Sequence, residues 1–279
     1  MRAGLRSRAG RILGRERSVV MTYPGLRFGN LLSFALQAVV LSTPRRPVLC
    51  LSNPDIRDLA GLPALGPLVL EPSRLRWTDE RLHPPVSFFQ HFGVDFTAEQ
   101  LADFVRRFLL PDLPHAPSDP PAITVNVRRG DYYYSVPHFR SSYGIDIPPY
   151  LRSALARQQD VGGVASTIRV VSDDPGWCQR HLGWLGDHAD EITFAPPGSS
   201  ALANFVEVAR AQRLILANST FSYWAGHVSN VLHPGNLAGV VVPQVPAWIT
   251  HGGLAWQHDP GWSVVTAAPV GDESDGNSG

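Results

Sequence analysis

Downstream of residue 122, short β-branched runs alternate with helical segments, and this alternation constrains the fold more than any other feature of the chain. Strands are expected over 122–127, 167–171, 191–194, 213–217 and 239–242, with helices near 149–158, 175–182, 201–211 and 220–229. Strands joined by helix-length crossovers run parallel rather than as hairpins, so the pattern predicts an α/β fold with helices on both faces of a parallel sheet. Upstream, residues 18–23 read as a strand entering a Pro24-Gly25 turn, followed by a helix from about 30 to 41 and a second short strand at 48–51. The proline-broken stretch from 62 to 85 is expected to be an irregular surface connection that lines a binding face. Thr97 to Leu110 carries an N-cap Thr, a Gln three residues on, and Leu101, Phe104, Val105 and Phe108 at helical spacing. Five prolines within 111–121 read as a stiff linker and the domain boundary. The expected organisation is a basic tail (1–17), a first domain (18–112), a second domain (122–262) and a disordered tail (263–279).

Composition excludes several function classes. A chain of 279 residues with 44% hydrophobic content builds a real core. Its 24 basic and 24 acidic residues cancel, which argues against a nucleic-acid partner. All the basic residues are arginine, so Schiff-base chemistry on lysine is ruled out. Cys50 and Cys178 lack metal-ligand spacing, the histidines show no HExxH, and no metal site is expected. No GxxxxGK[ST] loop occurs and no GxGxxG follows the first strand, which removes the main support for ATPase and dinucleotide oxidoreductase readings. No apolar run is long enough to span a bilayer. A cytoplasmic location is the default from cysteine usage. Residues 1–17 carry six arginines and read as a frayed tail, with Met21 as another initiation point; the alternative is a basic helix in peripheral contact with anionic lipid at the inner membrane face.

Three expected strands end in polar clusters: Arg128-Arg129-Gly130-Asp131, Ser172-Asp173-Asp174 and Asn218-Ser219-Thr220-Phe221-Ser222. In a parallel sheet these lie at one edge and can converge on one ligand. An arginine fork suits phosphate, and a helix start rich in hydroxyls suits an anion. Each cluster also has a plainer reading. The first could be a salt bridge from Arg128 or Arg129 to Asp131, and the other two could be helix caps, Ser172-Asp173-Asp174-Pro175 among them.

In order and spacing, over about residues 20–250, the chain resembles the bacterial and animal α-1,2-fucosyltransferases. Their His-x-Arg-Arg-Gly-Asp-Tyr is matched by Asn126-Val127-Arg128-Arg129-Gly130-Asp131-Tyr132, and Ser-Asp-Asp-x-x-Trp-Cys by Ser172-Asp173-Asp174 with Trp177-Cys178. Ala217-Asn218-Ser219-Thr220-Phe221-Ser222-Tyr223-Trp224 matches the third block. Pro243 to Trp248 approximates the trailing Pro-x-x-Trp, and Gly25 to Leu31 approximates an opening Gly-x-Leu-Gly-Asn-Gln. The chain departs where Asn126 replaces histidine, Leu31 replaces glutamine and Asn204 replaces an acidic residue.

The resemblance implies a GT-B-like protein of two Rossmann-type domains, an inverting, metal-independent enzyme with GDP-fucose as donor and no cofactor. The first domain, with Gly29 and Asn30, would face a glycan or glycolipid acceptor, and the second would bind the nucleotide sugar. Arg128 would hold the β-phosphate of GDP and stabilise the leaving diphosphate. Arg129 and Asp131 would form the ion pair that orients the fork, with Asp131 also the first candidate for general base. Ser219, Thr220 and Ser222 would meet diphosphate or ribose, and Asp173 or Asp174 guanine or ribose. A transferase of another nucleotide sugar and a non-catalytic glycan or nucleotide binding module remain alternatives, the latter suggested by Asn126.

Overall fold

The computed structural model describes residues 17–23, 25–53, 62–83, 89–113, 122–135, 137–244 and 256–270. The chain divides into two compact units, 1–114 and 115–279, with the division inside the proline-rich segment. The basic residues 1–16 and the tail 271–279 lie outside the described residues.

The first unit holds a four-stranded parallel sheet in the order β3-β2-β1-β4, formed by β1 (Ser18–Val20), β2 (Val48–Leu51), β3 (Val69–Leu70) and β4 (Glu80–Leu82). Helix α1 (Phe28–Leu41) packs on β1 and β2. Most of its residues are apolar and buried, as expected of a helix covered on several sides. Helix α2 (Ala98–Phe108) begins with a full capping box, in which Thr97 accepts from the Gln100 N–H and the Gln100 side chain accepts from the Thr97 N–H. Its apolar face is Leu101, Phe104, Val105 and Phe108. The 62–85 connection is less irregular than expected, because β3 and β4 join the sheet within it. At two and three residues, neither is long enough to show a period.

The second unit holds a six-stranded parallel sheet: β5 (Ile123–Val127), β6 (Ala165–Ser172), β7 (Ala189–Phe194), β8 (Arg213–Ile215), β9 (Val240–Gln244) and β10 (Ser263–Thr266). Their order is β10-β9-β8-β5-β6-β7, which is the Rossmann order 3-2-1-4-5-6 read from its other edge. All five residues of β5 are buried, since it lies mid-sheet between β6 and β8. Strand β10 corrects the expectation of a disordered tail from residue 263, for it pairs with β9 from Ser263↔Val241 to Thr266↔Gln244. As an edge strand it alternates buried and exposed residues and carries no continuous apolar run that would mark it.

Helix α3 (Pro137–Tyr143), absent from the expected elements, follows a π turn at Asp131–Ser135. Helix α4 (Ile147–Gly162) is longer than expected, with prolines in its first turn and Gly163 at φ +70° ending it. It is tied to the sheet by Tyr150 Oη, which donates to the Leu216 carbonyl at 2.7 Å, and by Gln158 Nε2, which donates to the carbonyls of Leu214 and Gly239. Helices α5 (Pro175–His181), α6 (Ala201–Ala209) and α7 (Thr220–Leu232) complete the alternation. The core gathers Ile123, Val125, Ile168, Val170, Leu151 and Leu155, among others. Among the described residues no helix is long and apolar enough to cross a membrane.

Candidate active site

Strands β5, β6 and β8 end at one edge because they run parallel, and their register sets the ends level. Val127 lies beside Ser172, and Val125 beside Ile215. The polar clusters that follow are thereby delivered to one place. A cleft of about 300 Å³ opens there, walled by Asn126, Val127 and Arg128, by Ser172, Asp173 and Pro175, and by Ser219 and Phe221. Pro196, Gly198, Ser199, Ala201 and Asn204, which follow β7, close it. In a doubly wound sheet, this is where a ligand sits.

The adjacent arginines do different things. Arg128 is partly exposed and pairs with Asp131 Oδ1 at 2.5 Å and Asp173 Oδ2 at 2.8 Å. Arg129 is buried, donating from Nε to Asp174 Oδ2 at 3.2 Å and from Nη2 to the Tyr134 hydroxyl at 2.8 Å. Its guanidinium lies 4.0 Å from the Trp177 ring centroid and 4.5 Å from that of Tyr133. A buried charge persists only when paired, and this one is paired and stacked. The expected Arg129–Asp131 pair is therefore corrected: Asp131 belongs to Arg128, and Asp174 to Arg129. Consecutive residues leaving a strand point to opposite sides, and the π turn brings Asp131 back onto the side of Arg128.

The aspartates also divide. Asp173 Oδ1 accepts the Arg129 N–H at 2.8 Å while its Oδ2 holds Arg128. Gly130 makes room for it, since a Cβ at that position would lie 2.4 Å from Asp173 Oδ2. Asp174, expected as a contact for guanine or ribose, is instead absent from the cleft wall. It caps α5 by accepting the Trp177 N–H at 3.0 Å, and its Oδ2 accepts from the Tyr134 hydroxyl at 2.7 Å. Burial pushes its carboxyl up, but the Tyr134 and Trp177 hydrogen bonds and the Arg129 charge together hold it below the ordinary value. Ser172 Oγ accepts from the Asp174 N–H at 2.9 Å.

At the start of α7 a buried chain of hydrogen bonds ties the helix to the sheet. Ser222 Oγ donates to Asn126 Oδ1 at 2.5 Å, and Asn126 Nδ2 donates to the Val171 carbonyl at 3.1 Å. Ser222 has only one hydroxyl proton, so Ser219 Oγ, 2.8 Å away, donates to it. Ser219 also caps the helix by accepting the Ser222 N–H. Ser219 and Phe221 thus face the cleft, whereas Ser222 and Thr220 are not in its wall. Asn218 Nδ2 donates to the Tyr143 carbonyl, which joins this loop to α3. Gly29 and Asn30 lie in α1 of the first unit, where Gly29 is buried and Asn30 Oδ1 accepts from Gln90 Nε2 at 3.0 Å. The trailing Trp248 lies outside the described residues.

Sequence reasoning missed the cleft wall at 196–201 and the part played by Tyr134, neither of which lies in a recognisable motif. It also missed the reason for Gly130 and the seat of Arg129 on Trp177, although both residues fall within the quoted motifs. Among the described residues no group of three or more His, Cys, Asp or Glu is placed to hold a metal ion.

The second unit is thus a Rossmann-type domain whose cleft presents an arginine beside a serine-capped helix start, the elements with which such domains hold phosphate. Residues 88–231, which include all three clusters, match Glycosyl transferase family 11. The chain belongs to that family, in agreement with its resemblance to the α-1,2-fucosyltransferases. An alpha-1,2-colitosyltransferase of Escherichia coli is 24% identical over 148 residues, covering 51% of this chain and 44% of the relative. The chain therefore spans less than half the length of that relative. A crystal structure of the iron-containing dodecameric glycosyltransferase TibC from enterotoxigenic E. coli aligns over 85% of this chain and 61% of its own, at 15% identity and a TM-score of 0.44.

Proposed function

We propose that the protein transfers L-fucose from GDP-fucose to a hydroxyl of a galactoside-type glycan or glycolipid, with inversion and without a metal ion. The observation that carries this reading is Arg128, a partly exposed guanidinium at the carboxyl end of β5 in the wall of the cleft. Asp131 and Asp173 hold it in the structure, so a diphosphate entering the cleft competes with them for its N–H groups. A bidentate guanidinium–phosphate contact is strong enough to do so. Asp131, released from Arg128, then accepts the proton of the acceptor hydroxyl. The acceptor oxygen bonds to the anomeric carbon from the face opposite GDP, the bond to the β-phosphate oxygen breaks, and GDP leaves with the electron pair. Arg128 neutralises the charge that develops on the leaving oxygen. Arg129 takes no part in that step and fixes the loop that carries Arg128 and Asp131.

The relative named alpha-1,2-colitosyltransferase supports a second reading, transfer of a colitosyl residue. The cytoplasmic location rests on two free, buried cysteines, and peripheral contact with anionic lipid rests on the arginines of residues 2–17.

The test is GDP release from GDP-fucose in the presence of chelator, with and without galactoside acceptors. Acceptor-dependent release that falls by a factor of about 10² or more in Arg128→Ala is the expected result. Release only from a GDP-colitose donor favours the second reading. Tight GDP binding without turnover on any acceptor assigns a binding module, and absence of GDP binding overturns the proposal.

A further inference from the structure

Asn204, in the first turn of α6, lines the cleft that Arg128 also lines. Its Oδ1 is buried and has no hydrogen-bond partner among the described residues. An unmade hydrogen bond of this kind is costly, and one retained in a ligand cleft calls for a ligand group that completes it. The terminal torsion of asparagine is soft, so the carboxamide turns toward a ligand easily. Pro175, Pro196 and Phe221 add apolar wall on which a planar ring can lie.

A carboxamide offers one acceptor and one donor side by side. Opposite guanine it is satisfied at the lactam edge, where the ring N1–H donates to Oδ1 and O6 accepts from Nδ2. Opposite N1–H and the 2-amino group its own NH2 would face another NH2. We infer that Asn204 reads the donor's nucleobase through this lactam edge and leaves the 2-amino group unread, so that the site accepts hypoxanthine as readily as guanine. The inference rests on the GDP-sugar reading above.

Calorimetry on the full chain with GDP, IDP and 1-methyl-GDP tests it. Wild type should bind GDP and IDP nearly equally and 1-methyl-GDP, which lacks the ring N–H, about 10-fold more weakly, the scale of one hydrogen bond. Asn204→Ala should abolish the discrimination between GDP and 1-methyl-GDP, a ratio that a general loss of folding would not change. Asn204→Asp should favour GDP over IDP by about 10-fold, because a carboxylate accepts from both N1–H and the 2-amino group. Discrimination that persists in Asn204→Ala, or a wild-type preference of about 10-fold for GDP over IDP, overturns the inference. If Arg128→Ala loses GDP while Asn204→Ala binds all three like wild type, this inference alone falls. If wild type binds none of them, it falls together with the GDP-sugar reading.

Discussion

Replacing Gly130 with alanine should damage the site through Asp173. The new Cβ would stand 2.4 Å from Asp173 Oδ2 and 3.3 Å from its Cγ. That approach is about 1 Å inside ordinary van der Waals contact, so the carboxylate must withdraw by that much. That movement breaks the 2.8 Å pair with Arg128 and the 2.8 Å hydrogen bond from the Arg129 N–H. A hydrogen bond to a charged group is worth about 1.5–3 kcal/mol. The pair with Arg128 is partly exposed and adds at most about 1 kcal/mol. The expected cost is about 2–3 kcal/mol, which lowers the melting temperature of a unit of this size by roughly 5–10 °C. The assay is a double-mutant cycle of Gly130→Ala with Asp173→Ala, read by thermal and denaturant unfolding. Removing the carboxylate removes what the methyl strikes, so Gly130→Ala should cost little in the Asp173→Ala background. An equal cost in both backgrounds refutes the steric argument.

Two buried histidines should make the protein acid-sensitive. Burial pushes His227 down from 6.5 to about 3 and His258 to about 4, with the Gln257 carbonyl partly opposing the shift at His227. Between pH 6.5 and 4 the unfolded chain binds these protons and the native chain does not, so stability rises with pH across that window and is lost as pH falls through it. The combined loss at pH 4.5 should reach about 5 kcal/mol, and His258→Leu should remove about half of the slope in urea unfolding. A slope unchanged by His258→Leu would falsify this account. Arg129→Lys should lower stability by about 1–3 kcal/mol despite retaining the charge, because an ammonium cannot stack on Trp177 while bonding both Asp174 and Tyr134. Unchanged melting in Arg129→Lys would show that the stacked guanidinium is dispensable.

Periodicity and turn chemistry are local, which is why so much of the second unit was legible. Runs of five or six residues placed β5, β6 and β8, and the parallel arrangement of strands joined by helices then put Arg128, Asp173 and Ser219 at one edge without knowledge of any contact. The capping box at Thr97 and Gln100 and the cap at Asp174 were legible for the same reason. Where an element was too short to show a period, as in β3 and β4, or carried no continuous apolar run, as in β10, the pattern was silent. The asparagine at 126 looked like a lost histidine, yet in the fold it is the buried link between Ser222 and the Val171 carbonyl.

By itself, then, the sequence determined the α/β class, the parallel sheet of the second unit, the meeting of three polar clusters and the family. The tertiary structure decided which arginine lines the cleft and which is buried. Arg128 and Arg129 are indistinguishable by residue type and neighbours in the chain. They part because Asp174 and Trp177, more than forty positions away, are brought against one of them when β6 pairs with β5. Burial among aromatic rings makes Arg129 a structural strut, while Arg128 is left at the cleft, its charge shared between the carboxylates of Asp131 and Asp173.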